Sequence, residues 1–394
     1  MDFSIPEPIQ KLRADIRAFV DAELIPLEAD FDHDDGRALE KQLAPLRQKV
    51  KDRGWWAPAL PESVGGMGLS LMDLALVAEE VARSPVGYFV FGMQAPDMGN
   101  AELLIMFGTD EQKERWLKPL AAGETRSCFG MTDKGTAGSN PTLLNAPAVK
   151  DGDDYVINAH KWFTTAADGA DFCIVMAVTD PDAAAHSRAS MIIVPMDTPG
   201  FEIVRNIPVM GEPSGGWFSH SEVKLTDVRV PQSNLLGEEG AGFLLAQKRL
   251  GPGRIHHCMR WMGICQRALE LMKSRANERE IKPGETLADT QIVKQWMAEC
   301  STEFTAARAL ILQTAWTIEQ KGFAEARDMV SMIKFHAANV TQQILDTALQ
   351  LHGGLGMTDD TPIAYWWRHE RAARIFDGPD EVHKLSLGKR LLRQ

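Results

Sequence analysis

Near the C-terminus, Arg368 is followed nine residues later by Asp377, a lone carboxylate in the run Ile375-Phe376-Asp377-Gly378-Pro379. Apolar, glycine and proline neighbours keep water from such a group, and desolvation raises a carboxyl pKa from about 4 toward working pH. A general base that removes a carbon-bound proton needs that shift. The same residue also suits the N-cap of the helix that EVHKLSLGKRLLR would form, because Asp is a favoured capping residue. Two other chemistries have less support. His256-His257-Cys258 offers three metal-ligating side chains, but successive helical residues point about 100° apart and do not converge on one ion. The glycine clusters GEEGAG, GPGR and GGLG lack the G-x-G-x-x-G spacing of a dinucleotide site, and no P-loop is present.

The elements that must position Asp377 are legible as periodicity. Ile9, Leu12, Ile16, Phe19, Val20 and Leu24 recur at three- and four-residue steps, predicting an amphipathic helix from Pro8 to Phe31. A second helix is expected from Leu71 to Val81 after Ser70, and a third at TDEQKERWLKPL, where Thr109 and Gln112 have capping-box spacing. Between Ala146 and Pro231 the texture changes to short β-type runs, YVINAHKWF, FCIVMAV, SMIIVPM, FEIV and SEVKLTDVRV, separated by turn clusters. No helix falls between them, so an antiparallel β domain is expected in place of a doubly wound sheet. Helical periodicity then returns over Ala241 to Arg275, Thr290 to Lys321 and Ala324 to Leu351, the last stopping where Gly353 can take a left-handed C′ conformation. The loop from Lys282 to Asp289 is the softest stretch. Helix, β and helix in blocks imply an α+β fold with segregated domains: helical over 1–124, β over 125–235 and helical over 236–394.

With 394 residues, two or three domains are the natural expectation. Acidic residues exceed basic ones by 54 − 42 = 12, which argues against a nucleic-acid or anionic-membrane surface. Any phosphate-bearing ligand must be held by local groups. Cys128, Cys173, Cys258, Cys265 and Cys300 are scattered without a Cys-x-x-Cys pair, fitting a reducing compartment. MDFSIPEPIQ has neither a basic n-region nor an apolar h-region, and no window reaches the length of a membrane span. A cytoplasmic protein is expected.

Further segments carry a family resemblance. ALPESVGGMGLSLMDLALVAEEVA and MFGTDEQKERWLKPLAAGE resemble the N-terminal helical domain of the acyl-CoA dehydrogenases. CFGMTDKGTAGSN is similar to their flavin-binding C-x-x-T-E-x-x-x-G-S-D segment, INAHKWFTTAADGADF to N-G-x-K-x-W-I-T-N, and LTDVRVPQSNLLGEEGAGF to the crossover into the C-terminal helices. The motifs span essentially the whole chain in family order. GPGRIHHCMR and the DGPDEVH terminus lie closest to the subfamily whose eukaryotic members are fused to a kinase-like domain.

The resemblance implies a middle β domain, a C-terminal four-helix bundle and FAD as cofactor. It would place Phe129, Met131, Thr132, Gly138, Ser139, Phe163 and Thr165 around the flavin, with Thr132 at the pyrimidine end, Thr165 donating to N5 and Phe163 as the aromatic plate. Aligning on Thr165 puts Phe163 where the family usually has Trp, with Trp162 one step earlier, so either ring could be the plate. Arg279, Gln350, Gly353 and Gly354 would receive the flavin of a neighbouring subunit in a homo-oligomer, dimer or tetramer; Lys282 stands where an aromatic is usual. Arg254, Ser139, Asp377 and Gly378 would meet an acyl-CoA. Asp377 matches the family's catalytic Glu, shorter by one C–C bond or about 1.5 Å. The implied reaction, in fatty-acid β-oxidation, is α,β-dehydrogenation to a trans-2-enoyl-CoA, with electrons passed to an electron-transfer flavoprotein. A flavin oxidase of the same fold (acting on a nitroalkane or an acyl-CoA) and a flavin-free acyl-CoA-binding or assembly protein are the alternatives.

Overall fold

The computed structural model describes residues 4–31, 35–212 and 215–393. The helices before the β domain are α1 Glu7–Phe19, α2 Gly36–Asp52, α3 Leu71–Val81, α4 Gly87–Val90, α5 Asp97–Phe107, α6 Asp110–Gln112 and α7 Lys118–Ala122. Strands β1 Ser127–Gly130, β2 Ala148–Asp151, β3 Asp154–Thr165, β4 Phe172–Val178, β5 Ala189–Pro195, β6 Phe201–Asn206, β7 His220–Pro231 and β8 Leu235–Leu236 follow. Then come α8 Gly242–Glu278, α9 Gln291–Lys321, α10 Phe323–His352, α11 Pro362–Glu370 and α12 Asp380–Leu391. The chain divides into two units, Met1–Asp30 with Leu69–Tyr88 and Gly253–Gln394, and Phe31–Gly68 with Phe89–Pro252.

The first unit is helical. Its interior is built from Ile16, Val20 and Leu24, from Val77 of α3, from Trp261, Ile264 and Ala268 of α8, and from Ile333, Ala337, Ile344 and Ala348 of α10, all essentially free of solvent. Gly263 is required where α8 crosses α3, because a Cβ there would run into the Glu79 carbonyl. The helix expected to reach Phe31 ends its α-form at Phe19, then makes a π turn over Val20–Leu24 and a 3-10 turn over Ile25–Asp30. Pro26 lacks the N–H that a continuous α-helix needs. Gly353 closes α10 with φ +62° as expected, but its ψ of −138° is not left-handed helical. The stretch from Lys282 is a small hairpin, Glu280–Lys282 paired with Glu285–Thr286.

The second unit carries two four-stranded sheets, ordered β1-β4-β5-β8 and β2-β3-β7-β6. Tyr155, Ile157, Val175, Ile192, Val194, Val223, Leu225 and Val228 form one buried cluster from both. The five expected runs fall on strands β3 to β7, with SMIIVPM running one residue (Met196) past β5, but the domain is not wholly antiparallel: β1 pairs with β4 in parallel, Cys128 opposite Cys173. Parallel neighbours need a crossover, and the chain makes it by building β2 and β3 of the other sheet first. The capping box is present: Thr109 Oγ1 accepts from Gln112 N, and Gln112 Oε1 accepts from Thr109 N, each at 3.2 Å.

Candidate active site

Asp377 does not cap α12. The cap position is Pro379, and no side chain caps the helix. Asp377 instead sits at φ +54° in a turn continued by Gly378 at φ +99°. A left-handed non-glycine residue costs roughly 1 kcal/mol and persists only where its surroundings impose it. Here they do. The Asp377 carbonyl accepts from Arg254 Nε at 3.0 Å and lies 3.2 Å from His383 Nε2. Lys334 Nζ bonds the carbonyls of Ala373 and Gly378, both at 2.7 Å, tying the two ends of the turn to α10. Lys334 is almost wholly buried, which pushes its pKa down to about 8 against the pull of Asp377 and Asp380. Asp380 is held by Arg374 Nε at 3.0 Å and Asn339 Nδ2 at 2.8 Å. Beyond the turn, Asp377 Oδ2 stands 3.3 Å from His257 Nε2. Arg279, Gln350, Gly353 and Gly354 all lie at exposed positions of this unit.

In the β unit, the residues after β1 are fixed from below by Lys161. Its Nζ, 1% exposed, reaches Asp133 Oδ1 at 2.5 Å, Met176 O at 2.7 Å and Met131 O at 3.2 Å. Thr132 is held through its carbonyl, which accepts from Trp162 N at 2.9 Å. Gly138 packs on it closely enough that a Cβ would come 3.2 Å from Thr132 Cγ2. Thr165 Oγ1 meets His220 Nδ1 at 3.0 Å, Phe129 lies under the Arg249 guanidinium at 4.2 Å, and Ser139 is exposed.

The β3 ladder shifts register between Lys161 and Thr164, and Phe163 takes φ +54° inside that bulge. Strict alternation therefore does not decide between Trp162 and Phe163. Solvent exposure separates them. Phe163 is 49% exposed, whereas the Trp162 ring has Lys134 at 4.9 Å and Arg205 at 5.5 Å over it. Both cations also grip Glu222 with His160, and Lys134 first, then Arg205, hold its carboxyl down to about 2. Exposed Phe163, the Thr132 and Thr165 hydroxyls and the Gly138 cradle fit a flat heteroaromatic ring edged with acceptors.

Three family models match consecutive stretches: the acyl-CoA dehydrogenase N-terminal domain over 6–124, the middle domain over 128–228 and the C-terminal domain over 240–392. FadE2 of Mycobacterium tuberculosis, named a probable acyl-CoA dehydrogenase, is 44% identical over 99% of this chain and 96% of its own. The chain belongs to the acyl-CoA dehydrogenase family. Membership makes it an oxidoreductase of that type. Acyl-CoA dehydrogenase family member 11 of Gallus gallus is 39% identical over 96% of this chain, which spans about half (50%) of that relative's length. A solved Mycobacterium abscessus structure, also described as an acyl-CoA dehydrogenase, superposes with a TM-score of 0.93 at 37% identity, covering 99% of both chains. No helix among the described residues is long and apolar enough to cross a membrane.

Sequence reasoning missed His257 and Lys334 as neighbours of the Asp377 turn. His257 was legible in principle: it follows Arg254 by three residues on one helix and so shares its face. Lys334 was not, because a lysine in a helix pattern reads as a solvated charge. Burial also sets an acid response. It pushes His256 and His383 each down to about 4. The unfolded chain therefore binds more protons between about pH 6.5 and 4, and folded stability is lost as pH falls through that window. A Tm series should drop from pH 6.5 to 4, with His256→Gln flattening the slope; equal slopes in both proteins would contradict the burial argument.

Proposed function

We propose that the protein is an FAD-dependent dehydrogenase of a fatty acyl-CoA thioester, with Asp377 as the base. The observation that carries this reading is the turn at Asp377, a carboxylate on a left-handed backbone held by Arg254, His383 and Lys334 where no helix-capping role accounts for it. Asp377 removes the α-proton of the thioester, and its backbone N–H donates to the thioester oxygen, where enolate charge develops. Arg254 holds the turn through the Asp377 carbonyl, in the next peptide unit, and approaches the CoA moiety; Gly378 and Ser139 also meet the substrate. FAD, when bound, supplies the acceptor for the β-hydrogen as hydride. Phe129, Met131, Thr132, Gly138, Ser139, Phe163 and Thr165 would hold it, with the half-exposed Phe163 ring as the plate in preference to Trp162. Arg279, Gln350, Gly353 and Gly354 would serve the flavin of a second subunit, which ties cofactor binding to a homo-oligomer. An electron-transfer flavoprotein is the acceptor this reading implies.

The test is the visible spectrum of the purified protein as saturated acyl-CoAs of increasing length are added without oxygen. A bound flavin that bleaches to give trans-2-enoyl-CoA is the expected result. A flavin untouched by every thioester, or a colourless protein that takes up no FAD, would overturn the reading. Peroxide formed at the rate of turnover under air would replace the dehydrogenase by an oxidase.

A further inference from the structure

The Asp377 carboxylate has a neighbour for which the reaction above has no use. His257 Nε2 lies 3.3 Å from Oδ2, with the imidazole side chain 21% and the carboxylate side chain 18% exposed. The imidazole packs against two neighbouring aromatic rings. Its centroid is 4.8 Å from the Phe376 ring and 6.1 Å from the Trp261 ring, the latter stacked at 21°. Trp261 cannot swing away, because it is fully buried and its indole N–H bonds Glu370 Oε2 at 2.7 Å. Arg254 and His257 share one face of α8, so a single helix surface holds the base at its carbonyl and meets it at its carboxylate.

The other titratable groups packed here are engaged elsewhere. Arg254 and His383 meet the Asp377 carbonyl, Lys334 bonds Ala373 and Gly378, and Asp380 is taken by Arg374 and Asn339. Arg260 is paired with Glu370, while His256 and Cys258 are buried on α8. His257 is therefore a group able to change its proton count that touches both the carboxylate and water.

We propose that His257 is a positioning residue that holds the Asp377 carboxylate and then takes the abstracted proton on toward solvent. This rests on Asp377 being the base. The substrate α C–H bond breaks, its electron pair stays on carbon, and an O–H bond forms at Asp377. That O–H bond then breaks as an N–H bond forms at His257 Nε2. The carboxylate is ionised again, and the imidazolium releases its other ring proton to water. No electrons change hands in the relay.

The relay predicts solvent exchange at the α-carbon, a readout that turnover does not supply. The holoenzyme is incubated in D2O with 3-thiaoctanoyl-CoA, whose β-position is sulfur and carries no hydrogen to leave as hydride. Deuterium at the α-carbon is followed by mass spectrometry. The parent should exchange, and Asp377→Asn should not. His257→Gln keeps an N–H donor toward the carboxylate but cannot carry the proton, and should exchange at least tenfold more slowly. His257→Leu should be as slow, with bound flavin and Tm showing that both variants fold. Exchange by His257→Gln within twofold of the parent would overturn the relay and leave Asp377 standing as base. Absence of exchange in the parent itself would remove the base and the relay together.

Discussion

Asp377→Asn should purify with its flavin and the parent Tm, yet lose acyl-CoA-dependent bleaching by about three orders of magnitude, within the range that removal of a general base brings. The choice of Asn separates chemistry from folding. Asp377 occupies φ +54°, and Asn is among the few residues that tolerate that region as well as Asp does. Ala would add strain to the chemical loss and confuse the two. The amide also keeps a polar atom facing His257, and the turn keeps Arg254, His383 and Lys334, which all act on backbone carbonyls. What Asn cannot do is accept a proton. Bleaching within threefold of the parent would show that another group performs the abstraction.

Much of this architecture was legible because it rests on periodicity. FCIVMAV is strand β4 residue for residue, and the three long C-terminal helices begin and end within three residues of their expected limits. Short or bent elements escaped. Strands β1 and β8 have four and two residues, too few for a repeat to register. The parallel β1–β4 pair follows from connectivity, which local pattern does not carry. At the site, Asp377 was visible through its setting, but the capping alternative fell only when Pro379 was seen to occupy the cap. The Trp162–Phe163 ambiguity was rooted in a bulge that no rule of alternation anticipates. Residues that act through space, such as His257 and Lys334, needed the fold before they could be found.

Lys161→Met should strongly destabilise the β unit. The ammonium is removed from water almost completely, and burial lowers its pKa while Asp133 opposes that shift. It persists because three oxygens receive it, on Asp133, Met176 and Met131. Methionine follows the lysine stem as far as Cε and fills most of the space, so the packing loss is confined to the place of the ammonium. The damage comes from what is left behind: an Asp133 carboxylate, 3% exposed, without its cation. Breaking a buried pair from one side costs about 3–5 kcal/mol, which corresponds to a Tm lowered by on the order of 10 °C for a unit of this size. Asp133 would still accept from Asn145 N and Ala146 N at 2.8 and 3.2 Å, so the unit should remain folded at room temperature. Met131 and the Thr132 it precedes lose their support, and the variant should shed flavin on dialysis where the parent retains it. Adding Asp133→Asn removes the orphaned charge and should recover about half of the lost Tm. If the double variant is no more stable than Lys161→Met, the cost lies in the lysine's carbonyl bonds and not in the carboxylate left behind.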